Sequence, residues 1–327
     1  MAISLSFSYF VVDRCRRGAK NSPVTGTYLN AILEVCFVDK KVPVSLHLRE
    51  WQRRGELTQM AYEIDYQDYQ RALQFDQRTS GMPALRSLTQ VLIDQLDPKE
   101  TDKVLDVGTG TGRLGTVMCQ LVPKGVVIGI DSGYGMLRVA EEKILKSQIG
   151  NYHIVRAKAE VLPFPSQVFN SAYLMLSFHH FTEPERAAAE VYRTLRPKAH
   201  LVSVDPVLKE PVDEDDKRLN ALIEEAFQLS HGPEFRFLTT AELRRLFEKS
   251  GFSIESCEAH NFPFRQKRIE EVPMGPHWLQ AYELLQSKQE EGLINKFEQN
   301  YFTFQEERGR VLVRGKISWV AIKAVKD

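Results

Sequence analysis

Two periods of hydrophobic residues alternate through the middle of the chain. Short runs rich in β-branched and apolar residues fall at 104–107, 126–130, 153–157, 171–176 and 201–204, with helical spacing between them at 112–121, 135–146 and 183–195. Strands alternating with helices of ten or more residues predict βαβ crossovers, and with them a mostly parallel sheet covered on both faces. Upstream, Leu85, Leu88, Val91, Leu92 and Leu96 mark a helix over 84–96 that Pro98 stops. Met60, Tyr62, Ile64, Tyr66, Tyr69 and Leu73 predict another over 59–75.

Downstream, 240–250 reads as a helix capped by Thr239 or Thr240 and closed by Gly251, with strands expected over 252–259 and 310–324. Two insertions break the rhythm at 206–238 and 264–307, with helices expected over 217–229, 277–286 and 289–300. Residues 1–58 show no sustained period. The organisation read from this pattern is an extension over 1–58, a helical lead-in over 59–100, and an α/β domain over 101–327 carrying both insertions.

Composition narrows the function by exclusion. The 327 residues carry 43 basic and 43 acidic side chains, so no global field gathers nucleic acid or anionic membrane, and no RNA-binding module is recognisable. A local excess of roughly +4 lies in the first 57 residues, at Arg14, Arg16, Arg17 and Arg49 to Arg54, and reads as a solvated face. Cys15, Cys36, Cys119 and Cys257 are scattered without a CxxC pair, which points to free thiols and a reducing compartment. The apolar opening 3–12 is too short to span a bilayer, so a cytoplasmic protein is expected.

The chemistry concentrates after the first strand of the domain. Val104-Leu105-Asp106-Val107 runs into Gly108-Thr109-Gly110-Thr111-Gly112, where alternate glycines allow a sharp turn and a close approach of ligand to main chain. A dinucleotide fingerprint would need a glycine where Arg113 stands, and Asp106 would repel a pyrophosphate while suiting a cation. S-adenosylmethionine is such a cation, with a sulfonium and an ammonium.

The stretch resembles the first motif of class I S-adenosylmethionine-dependent methyltransferases. About twenty residues on, the strand 126–131 ends in Asp131, placed to accept the two ribose hydroxyls. The resemblance implies that Met136 packs on adenine and that the tract Ala159-Glu160-Val161-Leu162-Pro163-Phe164-Pro165, similar to the ubiquinone and menaquinone biosynthesis branch, frames it. Two further stretches, 169–181 and Glu190 to Pro197, resemble the fourth strand with its exit and the helix before strand five. Departures stand at Lys158, Asn170 and Lys198, where the family has aspartate, aspartate and glycine.

The resemblance covers about half the chain, 103–262 and the last strand, and implies a doubly wound, mostly parallel, seven-stranded Rossmann-like sheet with helical insertions. It implies a methyltransferase acting on a small molecule, with S-adenosylmethionine held by Asp106, Gly108, Thr109, Gly110, Gly112, Asp131, Ser132, Met136, Ala159, Glu160 and Ser177. His179 and His180 are candidate bases for a nucleophile that must lose a proton, although the family's paired histidines more often line the pocket. No further ligands at suitable spacing make a zinc site of the pair. Tyr62, Tyr66 and Tyr69 are placed to close over the cofactor or to pack a helix on the sheet. Aromatic residues of the insertions, among them Phe227, Phe235, Phe237, Trp278, Tyr282, Phe297, Tyr301 and Phe302, are expected either to roof the pocket or to pack as core. The competing readings are a degenerate, regulatory relative that binds the cofactor weakly and a nicotinamide-dependent oxidoreductase.

Overall fold

The computed structural model describes residues 66–307 and 310–327; the extension expected over 1–58 lies outside them, as do Tyr62 and residues 59–65 of the first expected helix. In chain order the elements are α1 (Tyr69–Ser80), α2 (Pro83–Leu96), β1 (Lys103–Val107), α3 (Arg113–Leu121), β2 (Val126–Asp131), α4 (Tyr134–Ser147), β3 (Tyr152–Arg156), β4 (Phe169–Met175), α5 (Pro184–Thr194) and β5 (Leu195–Leu208). They continue with α6 (Glu214–His231), β6 (Leu238–Thr239), α7 (Thr240–Lys249), β7 (Phe252–Arg268), α8 (Gly275–Ser287), α9 (Glu291–Asn300), β8 (Phe302–Glu307) and β9 (Arg310–Lys326).

The main sheet runs β3-β2-β1-β4-β5-β9-β7, with β6 paired to β5 and β8 to β9. The first five strands of that order are parallel to their neighbours, and β9 enters antiparallel between β5 and β7. This is the seven-stranded, mostly parallel arrangement expected from the sequence, enlarged by two short strands. The chain moves outward from β1 to β2 and β3, then returns to lay β4 on the other side of β1. Such a switch point opens a crevice at the carboxyl ends of β1 and β4, where ligands of doubly wound sheets bind.

Period-two alternation sorts the side chains onto the two faces. In β9, Ile317, Trp319 and Ala321 join a core with Leu88 and Leu92 of α2, Phe227 of α6 and Trp278 of α8. The intervening Val320, Ile322 and Ala324 join Val191 of α5 and Phe247 of α7 on the opposite face. Truncating a buried ring such as Phe247 to alanine costs roughly 3–5 kcal/mol.

Several boundaries differ from the sequence expectation for identifiable reasons. Helix α1 starts later than expected because Asp68 caps it, accepting from Arg71 N at 2.8 Å. It continues to Ser80 because polar Asp76 and Thr79 face protein groups, not solvent. Tyr66 therefore lies in the turn before α1. Thr239 caps α7 in a capping box with Glu242, a feature worth about 1 kcal/mol. Strand β7 extends past 259 to Arg268, where β9 pairs with it, and β8, unexpected from sequence, adds to β9. Lys198 adopts φ 64°, so the turn that glycine makes in the family is formed here by a lysine in the left-handed region. Asn170 accepts from Lys103 N at 3.0 Å, a contact between strands and not with a ligand.

Among the described residues no helix is long and apolar enough to cross a membrane, and no cluster of histidine, cysteine and carboxylate groups is arranged to hold a metal. Cys119 and Cys257 are free thiols; Cys15 and Cys36 lie outside the described residues.

Candidate active site

A cavity of about 1480 Å³ opens at the carboxyl ends of the parallel strands. That exceeds the roughly 300–1,000 Å³ of a pocket for one drug-sized ligand, so two ligands can meet in it. One side is made by the loops after β1, β2 and β3; the other by the exit of β4, by Pro206 of β5, and by His231, His277 and Trp319.

The glycine loop forms the first side. Gly108 N and Thr109 N donate to Ile130 O at 2.9 and 2.8 Å, tying the turn to the end of β2. Its glycines serve different needs. A Cβ on Gly108 would stand 2.4 Å from Ser177 Cβ, and one on Gly112 would stand 2.9 Å from Ala140 of α4, so both are required by packing. A Cβ on Gly110, at φ 55°, would meet nothing within 4 Å. The loop is thus open to the cavity at Gly110, while Gly112, expected at the cofactor, does not line it and packs against α4.

Asp131 faces the loop from β2. Its carboxylate accepts from Gly110 N at 2.8 Å and from Gly133 N at 2.7 Å, which leaves lone pairs for further donors. Burial raises its pKa, and the amides of Gly133 and Gly110 work against that shift. Ser132, Met136, Ala159, Glu160 and Ser177 line the same region, so ten of the eleven residues expected at the cofactor converge there. Glu160 and Ser177 are also partly committed to protein. Glu160 accepts from Thr182 N at 2.9 Å, and Ser177 Oγ donates to Val107 O at 2.9 Å. Lys158 also lines the cavity, exposed at its mouth.

Asp106 is 2% exposed at the floor of the cavity, hydrogen-bonded by Thr109, which also meets Tyr152. Burial pushes its pKa up to about 7, against the hydrogen bonds of Thr109 and Tyr173. A second carboxylate, Asp76 of α1, braces the loop from outside. It accepts from Thr111 Oγ1 at 2.6 Å, Lys143 Nζ at 2.5 Å and Arg113 at 3.1 Å. Burial opposes the charge of Asp76, but the bonds from Lys143, Thr111 and Arg113 outweigh it and hold the pKa below the usual carboxylate range. Arg113, which breaks the dinucleotide fingerprint, is thereby an anchor between α3 and α1.

Four histidines line the other side: His179 and His180 of a 3-10 turn after β4, His231 ending α6, and His277 of α8. His179 Nδ1 pairs with Asp205 of β5, whose other oxygen accepts from Phe178 N at 2.9 Å. His180 Nε2 meets Tyr66 Oη at 3.1 Å, while Tyr66 O accepts from Met136 N at 3.3 Å, so the turn before α1 bridges both sides. Burial, reinforced by the neighbouring histidines, pushes His180 and His231 well below the ordinary imidazole range. Tyr69 instead donates to Glu142 of α4 at 2.9 Å.

The aromatic residues of the insertions do not roof the cavity. Phe227, Phe235, Phe237 and Trp278 pack on one another at 4.7–5.9 Å between ring centres, and none of the eight lines the pocket. Sequence left the two readings level because an amphipathic helix buries rings in core or pocket with the same spacing. Sequence reasoning missed Asp76, Asp205, His231, His277 and Trp319. Asp205 alone had a signal: it lies one residue beyond an expected strand, at the carboxyl end where ligands gather.

Comparison with known proteins agrees with this geometry. A family model described as a methyltransferase domain matches residues 104–198. The chain is 37% identical over 118 residues to the ubiquinone/menaquinone biosynthesis C-methyltransferase UbiE of Blochmanniella floridana, covering 36% of this chain and 46% of that protein. It is 36% identical over 124 residues to the protein of the same name from Francisella tularensis subsp. novicida, covering 36% and 50%. The chain spans about half the length of the curated relatives it matches.

A Bacillus halodurans protein described as a methyltransferase shares the fold with TM-score 0.58 at 24% identity, over 73% of this chain and 99% of that one. The Bacillus subtilis YcgJ protein does so with TM-score 0.58 at 22% identity, over 74% and 98%. Residues 104–198 are therefore a methyltransferase domain, similar in sequence to the UbiE enzymes.

Proposed function

We propose that this chain transfers a methyl group from S-adenosylmethionine to a small-molecule acceptor. The observation that carries the reading is the open face of the glycine loop at Gly110 opposite Asp131, inside a cavity large enough for donor and acceptor together. A side-chain-free surface beside a carboxylate fits a nucleoside with a positive charge. When bound, S-adenosylmethionine supplies an electrophilic methyl carbon on a sulfonium.

Asp131 accepts the ribose hydroxyls with the lone pairs that Gly110 and Gly133 leave free. Met136, Ala159, Ser132 and Glu160 enclose the base, while Thr109, Gly108 and Ser177 shape the floor over Asp106. Displacement at a methyl group needs alignment more than charge stabilisation, and orientation supplies roughly 7–11 kcal/mol in well-placed systems. His179 and His180, on the wall of the same cavity, are the candidate groups to take a proton from the acceptor.

The reading is tested by titration calorimetry with S-adenosylhomocysteine. Saturable micromolar binding is expected, lost in Asp131→Ala; no heat at millimolar ligand in the unaltered protein would overturn it. A mass-spectrometric screen for methyl transfer to phenols, quinols and tRNA then identifies the acceptor class.

A further inference from the structure

We propose that His231 is a specificity-determining residue, whose Nε2 accepts a hydrogen bond from a hydroxyl or N–H group that the methyl acceptor carries at its end remote from the methylated atom. The proposal rests on the methyl-transfer reading above and deepens it by naming a group the acceptor must present.

The tautomer of His231 follows from its hydrogen bond. Nδ1 meets Phe227 O at 3.1 Å, and because a carbonyl oxygen only accepts, Nδ1 holds the ring proton. Nε2 is then a lone-pair acceptor. Among the described residues no group donates to it and it is not a buried atom; the ring, half-buried, lines the cavity. Burial, reinforced by His277, holds the pKa well below the ordinary imidazole range, against the bond to Phe227. Such a ring is suited to receive a hydrogen bond and poorly suited to keep the proton.

The ring is fixed from several directions. Helix α6 ends at His231, where Gly232 N donates to Gln228 O at 2.9 Å and Gln228 Nε2 donates to Phe235 O at 3.0 Å, closing the turn that follows. The imidazole stacks on Phe227 at 5.8 Å between ring centres and is tilted against Phe235 at 4.7 Å and His277 at 4.5 Å. Ending the helix needs Nδ1 alone. The opposite edge of the ring, with Nε2, is left for a ligand.

Its place along the wall assigns the group it reads to the far end of the acceptor. Tyr66, whose carbonyl accepts from Met136 N on the glycine-loop side, meets His180 with ring centres 5.2 Å apart; His180 meets His231 at 5.7 Å. Along this row of contacts His231 lies two rings beyond Tyr66. Met175, Pro206, Met274 and Trp319 line the same cavity without charge and suit an apolar body. An ether oxygen at Nε2 would set lone pair against lone pair, and a carboxylate would do the same with added charge. Sites built to bind a hydroxyl reject analogues that lack it, because their own polar atom is left unpaired.

The test uses the full chain saturated with S-adenosylhomocysteine and three flat two-ring probes, naphthalene-2,7-diol, 2,7-diaminonaphthalene and 2,7-dimethoxynaphthalene, with affinity read by titration calorimetry. At least one of the two donor probes should bind at least tenfold more tightly than the dimethoxy compound, and the tighter of them shows whether O–H or N–H is read. That preference should fall at least tenfold in His231→Phe, which keeps an aromatic ring in the same packing. His231→Gln, whose side-chain carbonyl still accepts, should recover part of it, with S-adenosylhomocysteine affinity within twofold in both variants. A preference that changes less than threefold in His231→Phe for both donor probes would sink the proposal, as would no binding of any probe to the unaltered protein at millimolar concentration. Failure of the unaltered protein to bind S-adenosylhomocysteine would instead sink the methyl-transfer reading.

Discussion

The two sides of the cavity are built by different means. The glycine-loop side is made of main-chain groups and two carboxylates drawn from a short span, Asp106 to Asp131, with the amides of Gly108, Thr109 and Gly110 held by the end of β2. The histidine side is made of side chains from residues as far apart as Tyr66 and Trp319, each placed by the packing of a separate element. Backbone sites tolerate change in the residues around them but not in the conformation of the loop. Side-chain sites can be altered one residue at a time.

The contrast breaks most sharply at Gly110. Gly110→Val puts a branched side chain into open cavity at φ 55°, so S-adenosylhomocysteine affinity should fall at least about 100-fold, equivalent to about 2.7 kcal/mol. The strained conformation should take about 1–2 kcal/mol from stability, read as a lowered but cooperative melting transition. Retained affinity would mean that the loop does not face the ligand.

A smaller effect tests whether the loop is braced from outside. Asp76→Ala removes the common partner of Thr111, Lys143 and Arg113, which should destabilise the fold by about 1–3 kcal/mol and weaken S-adenosylhomocysteine about tenfold. Unchanged affinity with lowered stability would separate the brace from the site.

The smallest effect concerns charge. Asp106, with its pKa pushed up to about 7, ionises as pH rises through neutrality. The affinity ratio of S-adenosylmethionine to S-adenosylhomocysteine, which isolates the sulfonium charge, should rise about threefold from pH 6 to pH 8 and stay flat in Asp106→Asn. The same raised value means that Asp106 contributes stability below its unfolded value near 3.9, and that this contribution is lost as pH rises through about 7. A ratio independent of pH would place the carboxylate out of electrostatic reach.

The order of strands and helices from β1 to β5 was legible in sequence because each element carries its own period, and the loop residues were legible because they are contiguous. The bounds of helix α1 and the existence of strand β8 were not. The end of α1 is polar because Asp76 and Thr79 bind Arg113, a partner more than thirty residues away, and the alternation of β8 is confined to Phe302 through Gln305, so the strand is defined by its pairing with β9.

What the sequence determined by itself was the parallel sheet, its glycine turn and the acid at the end of β2, since these follow from local spacing and from conformations that glycine permits. Tertiary structure alone decided which glycine faces the cavity, that the insertion aromatics are core, and that Asp205 lies on His179. Those outcomes depend on distances between residues remote in the chain, and hydrophobic burial and hydrogen bonding fix such distances only when all the elements pack together.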